Sequence, residues 1–145
     1  MAVITLEGFD GLEDMFGKLA DVPFEVTSRA VDAMAEVAED KVRETGQAMG
    51  VRDPKSSVHI LDKITHRRPK QTDDGAVSYV TFSGKRRRGN TDTRNAAIAF
   101  MNEYGKEGQP ARPFIRQAAE QFSDEIAAPG EQIVGDWQEK TFAGG

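Results

Sequence analysis

Residues 95–119 read NAAIAFMNEYGKEGQPARPFIRQAA, and this stretch decides how the rest of the chain is interpreted. An apolar segment ends in Glu103-Tyr104-Gly105, a polar loop follows, and Pro113 opens a second apolar segment. Glycine just after a helix and proline in the first turn of the next are typical of helix ends. The stretch therefore predicts two helices, over 93–104 and 113–127, that a short connection holds against each other.

The pattern on both sides of this stretch predicts an α+β fold. Apolar and alanine residues recur at three- and four-residue steps over residues 22–49, which predicts one long amphipathic helix. Alternating apolar residues predict a strand over 76–83, and residues 58–65 fit a helical turn running into a strand. We therefore expect a long N-terminal helix and C-terminal helices packed on a small antiparallel β-sheet.

Weaker signals complete the predicted elements. Residues 2–7 predict a strand and residues 10–19 a short helix, and Asp73-Asp74-Gly75 is typical of a hairpin turn. Pro129-Gly130 predicts a break, after which residues 129–145 form a helical arm that either packs back or reaches a neighbouring molecule.

Composition limits the function classes. The 145 residues predict a single domain, with 38% hydrophobic and 30% charged residues. The absence of cysteine excludes disulfides, thiol catalysis and cysteine-based zinc sites in this sequence. No run of 18 apolar residues occurs, and residues 1–11 lack the pattern of a secretory signal, so we expect no membrane partner.

Charge is segregated along the chain. The net charge of −5 divides into −7 for residues 1–50, +7 for residues 51–116 and −5 for residues 117–145. Two interpretations stay open: the segments neutralise each other within one monomer, or opposite charges steer contacts between molecules.

A basic tip lies within a predicted flexible loop over residues 83–93. The four consecutive cations are Lys85, Arg86, Arg87 and Arg88. This run fits contact with an acidic protein surface, contact with the DNA backbone, or a solvated tip without a partner. It lacks interleaved aromatic residues, so reading of DNA bases is not expected.

No catalytic, cofactor-binding or metal-binding motif is present in the sequence, and we expect no enzyme and no cofactor. His59 and His66 lack the spacing and the partners of metal ligands. Glu103 is the one carboxylate in an apolar segment, which fits either a buried general base or a helix-terminal residue bonded to an arginine or a backbone N–H. The second interpretation is favoured.

Residues 98–119 resemble a family of bacteriophage proteins. The apolar stretch, the Glu-aromatic-Gly end, the polar loop and the Ala-Arg-Pro-Phe start are similar to head–tail joining, or tail-completion, proteins of long-tailed phages. The residues that carry this resemblance are Glu103, Tyr104, Gly105, Ala111, Arg112, Pro113, Phe114 and Arg116. The early strand and the long alanine-rich helix also fit the family.

The sequence departs from the family pattern at three places. Val58-His59-Ile60-Leu61 stands where Gly-X-Leu is common, and Gly105-Lys106 stands where Gly-Thr is common. The 83–93 loop is longer and more basic than the pattern. These departures leave the contacts of the loop open.

The resemblance implies a structural virion protein of the phage neck, assembled in the cytoplasm of a bacterial host. Its partners would be itself, in a ring of about six copies, the tail-tube protein and head-side connector proteins, with DNA passing through the lumen. A minor capsid or head-side connector role is the alternative, and a DNA-backbone-binding module is a further one. Arg112 is expected to bond either Glu103 or helix-end carbonyls, and Phe114 is expected to join the second helix to the core. Under this hypothesis, Arg112→Ala and Phe114→Ala affect stability or assembly rather than turnover.

Overall fold

The computed structural model describes residues 4–5, 22–51, 60–73, 75–88 and 91–143. Within these ranges the fold is α+β, as predicted: a long N-terminal helix and C-terminal helices pack on a small antiparallel sheet. The predicted helix over 10–19 and most of the strand predicted over 2–7 lie outside the described residues.

The long helix α1, Phe24–Ala48, is the element against which the sheet and the C-terminal helices pack. Its inner face is apolar at helical spacing from Val26 to Val42, so one continuous stripe is removed from water. Pro23, with φ of −56°, immediately precedes the helix and needs no amide partner there. The α-helices described are α1 Phe24–Ala48, α2 Asn95–Tyr104, α3 Phe114–Gln121 and α4 Ser123–Ala143.

The strands described form three antiparallel groups. A three-stranded sheet has the order β1-β5-β2, and β3–β4 and β6–β7 are two-stranded. In the larger sheet, Ile64 pairs with Phe82 and Ile4 with Val80. The strands are β1 Ile4–Thr5, β2 Ile64–His66, β3 Lys70–Thr72, β4 Gly75–Val77, β5 Tyr79–Phe82, β6 Lys85–Arg88 and β7 Thr91–Arg94, and a 3₁₀ turn at Ile60–Lys63 leads into β2 as predicted.

The strand predicted over 76–83 is two strands. Ser78 separates β4, which pairs with β3, from β5, which pairs with β1 and β2. Its hydroxyl is fully buried and donates a 2.7 Å hydrogen bond to the carbonyl of Arg67. The interruption therefore lets one extended segment change partners while the buried polar group stays satisfied.

The predicted basic loop is a β-hairpin. Lys85–Arg88 pairs with Thr91–Arg94, and α2 begins at Asn95 rather than at residue 93. Backbone hydrogen bonds across the hairpin, together with the β-branched Thr93, favour a strand up to Arg94, so the helix begins two residues later than predicted. The N–H of Asn95 donates to the carbonyl of Gly84 at 3.1 Å and closes the base of the hairpin.

The break predicted at Pro129-Gly130 is wrong. The helices separate instead at Phe122, and α4 continues through both residues to Ala143. Proline removes one amide donor, but packing against α1 holds the helix together. Gly130 is buried at this contact, and a Cβ added to it would lie 2.2 Å from Sδ of Met34. The predicted arm therefore packs back on the chain.

The close approach of α4 to α1 at Gly130 yields a prediction. Gly130→Val should lower the free energy of unfolding by about 2 kcal/mol, because the added side chain displaces the fully buried Met34 from its packing against α4. Gly135→Ala is the matched control, since a Cβ there meets nothing within 4 Å. It should stabilise by up to about 1 kcal/mol, and urea denaturation compares the two. Equal effects would contradict the close packing.

The core consists of two buried clusters along α1. The larger lies between α1, the sheet and α3, and includes Met34, Leu61 and Phe114. The smaller one, of Val26, Ala30 and Val134 with Trp137 against them, joins the N-terminal part of α1 to α4. Helix α1 therefore packs against both the sheet and α4, and its contact with α4 extends along most of its length.

Candidate functional site

The α2–α3 connection, residues 103–116, is where the sequence places its motif. Helix α2 ends at Gly105, whose φ of 78° favours glycine and whose N–H donates to the carbonyl of Met101. A Cβ on Gly105 would lie 2.8 Å from the backbone nitrogen of Ala111, so the loop returns tightly against its own start. Lys106 and Gln109 exchange backbone hydrogen bonds of 2.9 and 3.0 Å. The connection is thus fixed by its own backbone.

Glu103 caps helix α3. The residue is 5% exposed, and its two side-chain oxygens accept the N–H groups of Ile115 at 2.9 Å and Arg116 at 3.1 Å. These amides belong to the first turn of α3, which has no intrahelical acceptors for them and favours negative charge. Pro113 at the cap position offers no side-chain acceptor. The carboxylate of α2 therefore takes the role of the missing cap.

This arrangement confirms the structural interpretation of Glu103. Both oxygens are occupied by the start of α3, and Nε of Arg116 lies 3.6 Å from Oε1. The structure does not bring Glu103 to His66, which bonds other carboxylates, and His59 lies outside the described residues. The partner that a general base would need is therefore not supplied by His66.

Arg112 ties the connection to the end of α1. Its Nη1 donates a 2.9 Å hydrogen bond to the carbonyl of Gly50, and its N–H donates to the carbonyl of Asn102 at 2.6 Å. Of the two predicted partners, Glu103 and helix-end carbonyls, the structure has one close to the second: the guanidinium meets the carbonyl of Gly50, two residues beyond the last residue of α1. A cation is favourable there because unpaired carbonyls give a helix C-terminus partial negative charge.

Arg112→Ala should lower the free energy of unfolding by about 0.5–1.5 kcal/mol, the usual range for one hydrogen bond. The bond is exposed to solvent, so the effect should lie at the low end of this range. Lys106→Ala, an exposed cation on the same loop, should be close to neutral in the same urea titration. If the two variants unfold together at the wild-type midpoint, the bond to Gly50 contributes nothing.

Phe114 anchors α3 in the core. It is fully buried and meets the ring of Phe82 edge-on, with centroids 6.1 Å apart. A Cβ on Gly46 of α1 would lie 3.1 Å from the Phe114 ring and 2.6 Å from Leu61, so the small residue makes room for both. The predicted role of Phe114 as the residue that joins α3 to the core is confirmed.

Other members of the motif face solvent. Tyr104 is 62% exposed and Phe100, one turn earlier, is 50% exposed, with ring centroids 4.6 Å apart. The guanidinium of Arg116 stands 5.8 Å from the Tyr104 ring centroid, within reach of a cation–π contact. We call Phe100, Tyr104 and Arg116 the aromatic patch. Neither exposed ring belongs to the two core clusters.

The basic tip stands apart from this motif in the chain. Lys85 forms an exposed 3.2 Å ion pair with Asp92 across the β6–β7 hairpin. Arg86, Arg87 and Arg88 continue β6 toward the turn. An exposed pair of this kind contributes little to stability.

His66 is a polar site that sequence reasoning missed. Its Nδ1 lies 2.6 Å from Oε1 of Glu39 and its Nε2 lies 2.8 Å from Oδ1 of Asp32. The two carboxylates are seven residues apart, so they share one face of α1, and His66 on β2 joins that face to the sheet. We call these three residues the histidine clasp. The spacing on α1 was the available signal, but only the fold shows which histidine meets it.

The histidine clasp favours the charged imidazole. Burial opposes protonation, but the hydrogen bonds and charges of Glu39 and Asp32 outweigh it and raise the pKa of His66 above its ordinary 6.5. With a carboxylate at each nitrogen, both N–H groups donate only when the ring is protonated. The folded state therefore holds this proton more tightly than the unfolded state.

Stability should consequently fall as pH rises. The contribution of the clasp is complete below the unfolded pKa and is lost as pH passes the raised folded pKa. We expect a loss of about 1 kcal/mol as pH rises from about 6 through the raised folded pKa of His66. Urea denaturation across this window should show the loss in the wild type and not in His66→Gln. The same slope in both proteins would contradict the assignment.

In the described parts of the chain, no helix has the length and apolarity to cross a membrane. Nor do the described parts of the chain gather three or more histidine or acidic side chains in an arrangement suited to a metal ion.

Comparison of the chain with known protein-family models, with curated proteins and with solved structures gave no match.

Proposed function

We propose that this protein is a structural subunit of the bacteriophage neck, a head–tail joining or tail-completion protein that forms a ring at the top of the tail. The proposal rests on the resemblance of residues 98–119. The observation that carries it is that the residues of this motif have two different positions. Glu103 and Phe114 fix α3, while Tyr104 and Arg116 face outward. A motif that builds a rigid connection and displays an aromatic surface suits assembly.

The charge distribution is compatible with this role. Acidic segments at both ends and a basic middle give one subunit two kinds of surface, as a head-to-tail contact in a ring needs. A central opening that passes DNA would also give the basic hairpin β6–β7 a favourable position. The partners under this proposal are other copies of the chain, the tail-tube protein and head-side connector proteins.

The first test is the mass of the protein in solution. Light scattering over a range of protein and salt concentrations should detect a ring of about 95 kDa, six times the 15.9 kDa chain. If the free protein is monomeric, it should still bind purified tail tubes in a pull-down. Failure to form an oligomer together with failure to bind tail tubes would reject the proposal.

Binding experiments with the same purified protein distinguish the competing functions. Binding to isolated heads or connectors without binding to tail tubes would favour a head-side connector or minor capsid protein. A DNA-backbone-binding module is favoured by one feature, the four consecutive cations of β6. It predicts a gel shift whose affinity falls steeply with salt, and a slope near zero would remove it.

A further inference from the structure

Two exposed aromatic surfaces stand out among the described residues. One is the aromatic patch on α2 and α3. The other lies at the end of α4, where Phe142 is 75% exposed. Glu139, three residues before it, shares its side of the helix, and Asp136 lies a further three residues back; both carboxylates are exposed. We call Asp136, Glu139 and Phe142 the C-terminal tip.

The two surfaces lie at opposite ends of the molecule. Helix α4 runs antiparallel to α1: Lys41 pairs with Glu125 at 2.9 Å, and Val134 packs with Val26 and Ala30. The C-terminal tip therefore projects beyond the start of α1. The α2–α3 connection is fastened at the other end of α1, through the hydrogen bond from Arg112 to Gly50. The 25 residues of α1 separate the two by about 37 Å.

Because of this separation, the tip of a chain does not reach its own aromatic patch. The surfaces are nevertheless complementary. The patch has exposed rings beside Arg116, whose side chain is 57% exposed, and the tip has an exposed ring beside two carboxylates. In the sequence around the patch, Lys106 and Arg112 add two positive charges, and Glu107 and Glu120 add two negative charges. Among residues 131–142, by contrast, Lys140 is the one cation.

We propose that the aromatic patch of one copy receives the C-terminal tip of a second copy, so that subunits associate head to tail. This inference rests on the proposed function and names the contact through which the ring closes. Phe142 packs against Phe100 and Tyr104, and Glu139 pairs with Arg116. Two different surfaces, each at one end of the subunit, give a heterologous contact that repeats from copy to copy.

Site-directed cross-linking tests this contact, since the chain has no native cysteine. Ala97→Cys places a thiol on the exposed side of α2 near Phe100, and Gln138→Cys places one four residues before Phe142. A mixture of the two variants, treated with a short bismaleimide, should give dimers at about ten times the level of either variant alone. The chain with both substitutions should give a ladder of larger oligomers.

The matched control replaces Gln138→Cys with Ala128→Cys, an exposed position on α4 about 15 Å before it. Charge variants give a second readout. Glu139→Arg, at an exposed site, should lower cross-linking about tenfold, and adding Arg116→Glu to the same chain should restore it. Urea denaturation checks that Arg116→Glu, which lies beside Glu103, is still folded.

The outcomes separate this inference from the proposed function. Oligomers seen by light scattering without cross-linking above the Ala128→Cys control overturn the inference and leave the neck proposal intact, with another face in the ring. A chain that stays monomeric and cross-links at the control level also overturns the inference, and the neck proposal then depends on tail-tube binding. If neither charge variant changes the yield of cross-linked dimer, the pairing of Glu139 with Arg116 is likewise rejected.

Discussion

Replacing Phe114 with alanine is expected to lower the free energy of unfolding by about 3–5 kcal/mol, the range for losing a buried aromatic ring. Phe114 is the largest fully buried side chain described and meets both Phe82 and the face of α1 at Gly46. The surrounding backbone is held by helices on both sides, so the cavity does not collapse. Urea denaturation followed by circular dichroism measures the loss.

Phe142→Ala is the matched control for Phe114→Ala, since it removes the same ring from an exposed position. We expect its effect on stability to stay within about 0.5 kcal/mol. A Phe114→Ala protein with a wild-type unfolding midpoint would show that α3 is not anchored through this ring. Under the proposed function, the loss concerns folding and assembly, because the residue has no reactive group.

Replacing Glu103 with alanine should lower the free energy of unfolding by about 2–4 kcal/mol, because two first-turn amides of α3 lose their acceptor. The amide of Ile115 is buried, so water does not readily replace the carboxylate. Glu103→Gln keeps one acceptor oxygen and should fall between alanine and the wild type. Glu107→Ala, at an exposed turn position, should be nearly neutral.

Hydrogen exchange gives the residue-level test of the Glu103 cap. In Glu103→Ala, the amides of Ile115 and Arg116 should exchange faster than in the wild type under conditions where the protein stays folded. The amide of Gln117, which donates to the carbonyl of Pro113, is the internal reference. Unchanged exchange at Ile115 and Arg116 would contradict the capping role.

The elements with long periodic patterns were predictable from the sequence. The stripe from Val26 to Val42 defined α1, and Gly105 and Pro113 marked the facing ends of α2 and α3, because such ends are set by local chemistry. The capping of α3 was also within reach, since Glu103 is the only carboxylate in an apolar segment.

The misplaced elements are those where tertiary contacts override local signals. Pro129-Gly130 ends most isolated helices, but here Gly130 lets α4 approach Met34 closely enough to continue. The segment around Thr91 carries helix-cap residues, yet pairing with Lys85–Arg88 makes it a strand. For α4 the free energy comes from packing against a helix distant in sequence, and for β7 it comes from hydrogen bonds to the adjacent strand of the hairpin.

The histidine clasp could not be predicted from the sequence for a different reason. Asp32 and Glu39 are ordinary acidic residues on the polar side of a predicted helix, and nothing local singles out His66. Their meeting depends on how β2 lies across α1, which is a property of the whole fold. The exposure of Tyr104 and Phe100 is likewise set by which side of α2 faces the core.

The most direct measurement of the proposed function is the position of the protein in the virus particle. Antibodies raised against the purified chain would be applied to phage particles from the source host and viewed by immunogold electron microscopy. The account predicts label at the junction of head and tail, in particles that still carry both. Particles without label, or label along the tail or over the head surface, would contradict it.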